Sequence, residues 1–102
     1  DWEDYFYDII GVTKPNNKAV EEIQLRFSSY RAPYVITKPL HPSQKAPIFN
    51  EDGKVDIRFQ VVLNPELVAQ ILSYGKSVEV ISPETLRLEV ISIIKEMTDC
   101  YS

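Results

Sequence analysis

Two stretches of the chain alternate strictly between apolar and polar residues. In residues 21–27 (EEIQLRF), the odd-numbered positions from 23 onward are apolar and the positions between them are polar. Residues 54–63 (KVDIRFQVVL) repeat this alternation directly after the turn-forming sequence NEDG. A period of two residues is typical of a strand with one buried face, and Asp-Gly is a strong hairpin signal. The pattern predicts two half-buried strands, with a short strand in APIF, residues 46–49, before the hairpin turn.

Three further stretches predict helices. A short helix begins near Pro33, because a proline is well tolerated in a first turn and restricts the residue before it. Asn64 and Pro65 predict the cap and first turn of a helix in PELVAQILSYG, and a fourth strand, SVEVI, follows it. Ser82 and Pro83 predict the cap and start of a long final helix in the same way. The apolar face of that helix comprises Leu86, Val90, Ile93, Ile94 and Met97.

The predicted order after residue 20 is strand, helix, strand, strand, helix, strand, helix. Its first six elements form a ferredoxin-like βαββαβ unit, an α+β fold in which helices cover one face of an antiparallel sheet. An extra C-terminal helix and a short N-terminal helix complete the prediction. The other face of the sheet would be open and polar, and Arg26 and Arg58 would lie on adjacent strands. The residues predicted on this open face are Glu22, Gln24, Arg26, Asp56, Arg58 and Gln60.

The first ten residues, DWEDYFYDII, form a separate amphipathic segment. Trp2, Tyr5, Phe6 and Ile9 have helical spacing, and a polar, turn-forming stretch, TKPNNKA, follows. Large apolar residues on so short a helix need a surface to pack against. We therefore expect residues 1–16 to be the tail and linker of a preceding domain, residues 17–102 to be the main domain, and the chain to be a piece of a longer protein.

Composition limits the classes of function. The chain has 102 residues, a net charge of −4 and a pI near 4.9, which argues against broad, charge-driven binding to nucleic acid by this segment alone. Its single cysteine, Cys100, allows no internal disulfide, and no apolar run approaches the ~20 residues that a membrane span requires. We expect a cytoplasmic protein with no membrane contact.

No pattern of catalytic residues emerges from the sequence. Neither a glycine-rich phosphate loop nor an HExxH motif is present, and the one histidine, His41, lacks partners that spacing can identify. We expect no enzyme activity, no cofactor and no metal. RNA-recognition modules share the βαββαβ plan, but they stack bases on aromatic residues of the central strands. Here Phe27 and Phe59 follow the apolar alternation, so they should face the helices.

The stretch KPLHPSQKAP, residues 38–47, contains three prolines and the only histidine. Prolines stiffen it and remove backbone donors, so it should be a rigid connection near one sheet edge. One interpretation is a structural turn in which His41 and Gln44 hold loop carbonyl groups. The other is a recognition loop that presents Leu40, His41, Ser43 and Gln44, since binding residues concentrate on loops held by rigid scaffolds.

The order of these motifs resembles the C-terminal extension of WYL-domain transcriptional regulators. IQLRFSSYRAPYVITKPLHPSQ, the Asp-Gly hairpin and ELVAQILSYGKSVEVISPETLRLEV match the family's LRFS, APYV, HPSQ and aromatic-Gly pattern in order and spacing. The resemblance covers roughly residues 20–102. The preceding DYFYDIIGV resembles the last helix of the WYL domain itself.

The resemblance implies a bacterial regulator with three parts. A winged helix-turn-helix outside this chain would read promoter DNA, and a WYL domain of Sm-like barrel type would sense an effector. This domain would close on the WYL domain of the same protein and help to form a homodimer. The implied effector is single-stranded nucleic acid or a nucleotide-like ligand.

The residues that match the family motifs become candidates for effector contact. Arg26 comes first, because a guanidinium fork matches phosphate geometry, although a pair with Glu22 or Asp56 is the alternative. Arg58 and Arg31 are weaker candidates, and Phe27 and Tyr34 should pack in the core. The predicted effector-binding residues are Arg26, Arg31, His41, Ser43, Gln44 and Arg58. Two other interpretations are a dimerisation module without ligand and a small-metabolite-binding domain.

Overall fold

The computed structural model describes residues 19–102 and contains four strands, three α-helices and one 3₁₀ turn. The strands are β1 (Val20–Phe27), β2 (Ile48–Phe49), β3 (Val55–Val62) and β4 (Val78–Ser82). The helices are α1 (Ala32–Thr37), α2 (Pro65–Ser73) and α3 (Glu84–Asp99), and the 3₁₀ turn is Gly75–Ser77. The predicted N-terminal helix and the predicted boundary at residue 16 lie outside the described residues.

The four strands form one antiparallel sheet in the order β2-β3-β1-β4. This is the strand order of a ferredoxin-like βαββαβ unit, so the predicted fold class is confirmed. β1 and β3 pair along their whole length at the centre of the sheet, with Ile23 opposite Phe59 and Leu25 opposite Ile57. Because directly opposed residues share a face, the two apolar stripes coincide.

The inward face of the sheet and the helices enclose one hydrophobic core. Phe27 is fully buried and Phe59 is 1% exposed, so the aromatic residues of both central strands lie beneath the helices as predicted. Full burial of one such side chain contributes about 1.5–3 kcal/mol relative to leaving it in water. The helical residues of the core are Ala32, Val35, Leu67, Val68, Ile71, Leu86 and Val90.

The two prolines that open the longer helices occupy different positions. Asn64 caps α2 as predicted: its extended backbone precedes Pro65, and its side-chain Oδ1 accepts a hydrogen bond from the Leu67 N–H at 2.8 Å. The predicted Ser82 cap of α3 is wrong. Ser82 pairs with Gln24 as the last residue of β4, and the following Pro83 takes the N-cap position without a side-chain hydrogen bond.

Tyr34, which was expected in the core, is exposed, and so are Ile94 and Met97, which were predicted on the apolar face of the final helix. Ile94 and Met97 are each 49% exposed, although Leu86 and Val90 of the same helix are buried. α3 has 16 residues and packs on the five-residue strand β4, so its last turns line a groove rather than the core. Tyr34 is 58% exposed because the short helix α1 buries only Ala32 and Val35.

Asn64 and Ser82 provide a matched test of helix capping. Replacing Asn64 with alanine should cost about 1 kcal/mol of unfolding free energy, because the Leu67 N–H loses its only acceptor at the helix start. Ser82→Ala should change stability by less than about 0.5 kcal/mol, since this side chain caps nothing. Urea unfolding of both variants measures the difference. Equal losses in the two variants would contradict the assigned caps.

Candidate functional site: the open face of the sheet and the His41 loop

The face of the sheet opposite the helices is polar, as the alternation predicted. Across the β1–β3 pair, Glu22 lies opposite Gln60, Gln24 opposite Arg58 and Arg26 opposite Asp56. On its other side, Arg26 lies opposite Glu79 of β4. Arg26 and Arg58 therefore lie on adjacent strands of one face. We call these residues, together with Asn50 and Lys45 at the margin, the open face.

The carboxylate of Asp56 is the centre of the hydrogen bonding on the open face. Arg26 donates to it twice, from Nε to Oδ1 at 2.7 Å and from Nη2 to Oδ2 at 3.1 Å. Gln24 Nε2 donates to Oδ2 at 2.8 Å, and Asn50 Nδ2 donates to Oδ1 at 3.0 Å. Four hydrogen bonds thus converge on one acid, which is 3% exposed although it lies on the solvent side of the sheet.

This arrangement stabilises the ionised form of Asp56. The hydrogen bonds from Arg26, then those from Asn50 and Gln24, lower the pKa of the carboxyl below its ordinary value, against the opposing effect of burial. A buried carboxylate is costly unless it is paired and hydrogen-bonded, and both conditions are met here. The alternative considered for Arg26, a pair with Asp56, is therefore the one that the structure contains. Its contact with an effector stays a prediction.

The remaining charges of the open face are also largely compensated. Lys45 Nζ lies 2.5 Å from a carboxylate oxygen of Glu22, and its hydrogen bond and charge lower the pKa of that acid. Of the three cations of the face, Arg26 and Lys45 are paired with Asp56 and Glu22, and Arg58 has no ion pair within residues 19–102. Glu79, opposite Arg26 on β4, pairs instead with Arg87 of α3 at 3.0 Å. Most of the positive charge of the face is therefore paired, so the face is poorly suited to attract a polyanion over its whole area.

Arg58 differs from Arg26 in its hydrogen bonding. Its side chain forms no hydrogen bond with any residue in 19–102, and its Nε is buried without a partner. Arg26 donates hydrogen bonds from Nε and Nη2 to Asp56, and its side chain is 33% exposed. A guanidinium offers five N–H donors in a fixed fork, so Arg58 is the residue of the open face with the most unused donors.

The proline-rich stretch forms a tight loop along the β3 edge of the sheet, and we call residues 38–47 the His41 loop. The His41 ring stacks at 6.4 Å on Phe59, which belongs to the core. Ser43 Oγ accepts a hydrogen bond from the Gln60 N–H at 2.8 Å and lies 2.9 Å from the Gln60 carbonyl oxygen. The Lys45 N–H donates to the Arg58 carbonyl at 2.8 Å. The loop thereby extends the short strand β2 along the edge of β3.

The polar side chains of the His41 loop bind the loop itself. Gln44 Oε1 accepts from the Leu40 N–H at 2.9 Å, and Gln44 Nε2 donates to the Val35 carbonyl of α1 at 3.1 Å. The Ser43 N–H donates to His41 Nδ1 at 3.1 Å, and Ser43 Oγ lies 2.8 Å from the same ring nitrogen. These contacts favour the structural interpretation of the loop, in which His41 and Gln44 hold backbone groups.

Arg31 lies away from both of these places. Its guanidinium carbon is 5.4 Å from the centroid of the Tyr34 ring and 5.9 Å from that of Tyr74, at the start of α1 on the helix side. Tyr74 in turn contacts the buried Phe27 edge to face at 5.3 Å. The six predicted residues thus occupy three locations: Arg26 and Arg58 on the open face, three in the His41 loop, and Arg31 beside the two tyrosines.

An apolar groove that sequence reasoning did not predict lies between α2 and α3 above β4. It encloses about 460 Å³, within the usual size range of small-molecule sites. Its apolar lining includes Ile71, Leu72, Val78, Val80, Ile94 and Met97. The sequence did contain a signal for this groove. The apolar face of α3 is longer than the five-residue strand β4, so the strand cannot cover all of it.

Two features are absent from residues 19–102. This part of the chain contains no group of three or more His, Cys, Asp or Glu side chains that could hold a metal ion. None of its helices is long and apolar enough to cross a membrane. Cys100 is exposed at the end of α3.

Strand order and the one-sided helix layer define the chain as a ferredoxin-like α+β domain with an open polar face. Within this fold class, a family model described as the WCX domain matches residues 19–98. The chain therefore belongs to the WCX domain family, which is associated with WYL-type regulators. A comparison with curated proteins finds no match.

Asp56→Asn tests the network on the open face. Removal of the charge should lower the free energy of unfolding at pH 7 by about 2 kcal/mol, since hydrogen bonds to charged groups contribute about 1.5–3 kcal/mol. Because folding lowers the pKa of Asp56, its stabilisation is present above the unfolded pKa of about 3.9 and is lost as the pH falls through the folded value. The deficit of the variant should therefore shrink as the pH falls below the unfolded pKa of about 3.9.

Urea unfolding at several pH values measures that deficit. Glu51→Gln is the matched control, because this exposed acid of the hairpin turn has no hydrogen bond or ion pair within residues 19–102. It should differ little from the wild type at any pH. A deficit for Asp56→Asn that is constant with pH would show that the carboxylate charge is not the source of stability.

Gln44→Ala tests the structural interpretation of the His41 loop. The change leaves the Leu40 N–H and the Val35 carbonyl without their partner, so the unfolding free energy should fall by about 1–2 kcal/mol. Lys38→Ala, an exposed change in the same loop, should cost less than about 0.5 kcal/mol. Equal stability of the two variants, measured by thermal and urea unfolding, would favour the recognition interpretation instead.

Proposed function

We propose that this chain is a non-catalytic regulatory domain of a WYL-type transcriptional regulator and that its open face is the surface on which an anionic effector or the neighbouring WYL domain is recognised. The observation that carries the proposal is the combination of a WCX domain match with a sheet face that no helix of residues 19–102 covers and that is lined by polar side chains. In the full-length regulator, a helix-turn-helix would contact promoter DNA, and this domain would act on it only indirectly.

The chemistry of the open face is that of recognition rather than of reaction. Its side chains are amides, carboxylates and guanidiniums that are held by one another, and no nucleophile lies beside a general base among the described residues of this face. Because most charges of the open face are paired, the face suits an effector that places a single charged group at one position on it. An accessory surface of this kind would change the affinity or geometry of the regulator by linkage, without chemistry of its own.

Arg58 is the residue of this face that we assign to the anionic contact. Arg26 is committed to Asp56 by a bidentate pair, and a ligand that recruits it must compete with a buried carboxylate. The Nε of Arg58 is buried, but its terminal Nη groups form no hydrogen bond within residues 19–102 and can donate to a phosphate without breaking one. Its neighbour Gln24, opposite it on β1, supports the buried network and leaves Arg58 partly open to solvent. Arg31 and the His41 loop then have structural roles.

Titration of the full-length regulator with short single-stranded thymidine oligonucleotides tests this assignment. Arg58→Gln should weaken binding about tenfold, which is the loss of one charge-assisted hydrogen bond. The slope of log affinity against log salt should also become shallower by about 0.7, because one phosphate contact is lost on a single strand. Fluorescence anisotropy measures both quantities.

Lys95→Gln is the matched control for Arg58→Gln, because it removes the same charge from an exposed position on α3, away from the open face. It should leave both the affinity and the salt slope unchanged. Identical oligonucleotide binding by wild type and Arg58→Gln would contradict an effector contact at this residue. Weakening of the same size in both variants would indicate a general charge effect.

A second candidate function, dimerisation without a ligand, is supported by one observation. Ile94 and Met97 on α3 remain half-exposed, as a helix face that pairs across a two-fold axis would be in a single chain. Sedimentation of the 102-residue chain separates the two candidates. A dimer that Ile94→Lys dissociates would support this second function, and a monomer at every concentration would contradict it.

A further inference from the structure

The turn between β2 and β3 exposes an Asp-Gly peptide bond to water. Residues 51–54 of this hairpin turn are all exposed, and Asp52 directly precedes Gly53 within it. Gly53 has a φ of 89°, in the left-handed region that glycine adopts without a steric cost. Because glycine has no Cβ, its own backbone nitrogen is open to approach. The Gly53 nitrogen is therefore the least hindered amide of the turn.

The carboxyl group of Asp52 is held beside that nitrogen. Asp52 Oδ1 accepts a hydrogen bond from the Lys54 N–H, two residues further along the chain, at 3.0 Å. This contact is an Asx turn, in which an aspartate side chain folds back over the peptide group that follows it. A bond between the Asp52 carboxyl carbon and the Gly53 nitrogen would close a five-membered ring. The hydrogen bond to Oδ1 also draws electron density from the carboxyl carbon, which makes that carbon a better electrophile.

Asp56, on the strand that follows the turn, lacks these features. It is 3% exposed, and its carboxylate accepts four hydrogen bonds, two from Arg26 and one each from Gln24 and Asn50. The next residue, Ile57, is fully buried and carries a branched Cβ in a paired strand. The hairpin therefore contains one aspartate that is fixed and one whose carboxyl group can reach the next amide.

We propose that Asp52 is a site of spontaneous covalent modification, at which the chain isomerises to isoaspartate. The Gly53 nitrogen attacks the carboxyl carbon of protonated Asp52, a C–N bond forms, and one carboxyl oxygen leaves as water with the acid proton and the amide proton. Water then adds to the former backbone carbonyl carbon of Asp52 in the succinimide ring. The original C–N bond breaks as the nitrogen takes a proton. The water that was lost is regained, so the mass is unchanged and nothing is oxidised or reduced.

The reaction requires the Gly53 N–H to leave its acceptor. In the closed turn this group donates to the Asn50 carbonyl at 3.1 Å, towards the long end of the usual range. Hydrogen bonds of exposed turns open locally at a low cost in free energy, without unfolding of the core. Each opening frees the nitrogen while the carboxyl group stays on the neighbouring residue.

The modification alters the hydrogen bonding of the open face. It routes the chain through the side chain of Asp52 and so adds one carbon atom to the main chain inside the turn. Asn50 closes that turn, because its N–H and its Nδ2 donate to the Lys54 carbonyl at 2.8 Å and 3.1 Å. Asn50 Nδ2 also donates to Asp56 at 3.0 Å. A longer turn displaces this donor, so the aged chain should unfold at a lower urea concentration than the fresh chain.

Peptide mapping of the folded 102-residue chain after prolonged warm incubation at pH 7 tests the proposal. Trypsin separates residues 46–54, whose only aspartate is Asp52, from residues 55–58, whose only aspartate is Asp56. A second form of peptide 46–54, with the same mass and a different retention time, should accumulate. Protein isoaspartyl methyltransferase should transfer a methyl group from S-adenosylmethionine to this form. Peptide 55–58 should remain a single form.

Asp52→Glu is the matched variant, because it keeps the charge, whereas its bond to the Gly53 nitrogen would close a less favourable six-membered ring. It should accumulate no second form, and its urea midpoint should not change with age. A single form of peptide 46–54 in the aged wild-type chain would overturn the proposal. A second form that Asp52→Glu retains, or one of higher mass from deamidation of Asn50, would place the change at another residue. Equal conversion of peptide 55–58 would show that the turn geometry does not select the site.

Discussion

The register between β1 and β3 is the constraint on which the rest of the structure depends. A slip of one residue would place Phe27 and Phe59 on opposite faces of the sheet and bring polar residues of one strand into the core, because successive side chains of a strand point to opposite faces. The observed register also brings Arg26 directly opposite Asp56, so the apolar stripe and the ion pair specify the same alignment. The pairing of β1 with β3 therefore determines both the core and the open face.

The ion pair between Arg26 and Asp56 limits which residues of the open face can contact an effector in the proposed function. A carboxylate that is 3% exposed must be fully hydrogen-bonded, and Arg26 supplies two of the hydrogen bonds. The arginine that best matches a family motif is thereby used for structure. In the proposed function, recognition uses Arg58, which lies two residues beyond Asp56 on β3 and forms no side-chain hydrogen bond within residues 19–102. Stability and the proposed effector contact would then fall to arginines on adjacent strands.

Much of the fold could be predicted from the sequence because its signals are local. Alternation of period two identified β1 and β3, and the Asn-Pro start identified α2, whose cap is the predicted Asn64. The Ser82 cap failed because the same residue also continues the pairing of β4 with β1, and pairing took precedence. The exposure of Tyr34, Ile94 and Met97 depends on how far each helix extends over the sheet, which spacing alone does not determine.

The candidate site was harder to predict than the fold. Its residues were selected by residue type, whereas their hydrogen-bond partners depend on tertiary contacts. The sequence placed Arg26 on the open face but left its partner open, and the geometry selected Asp56. The His41 loop offered two interpretations, and its hydrogen bonds to Gln60 and Val35 favour the structural one. Arg31 was grouped with the other arginines, although the fold places it on the opposite side of the sheet, beside Tyr74.

A double-mutant cycle between Arg26 and Asp56 tests the central claim most directly. Unfolding free energies of Arg26→Gln, Asp56→Asn and the double variant at pH 7 give the coupling between the two side chains. If this pair fixes the β1–β3 register and governs the open face, the coupling should exceed experimental error in favour of the native pair. Additive losses, with no coupling beyond experimental error, would contradict that account.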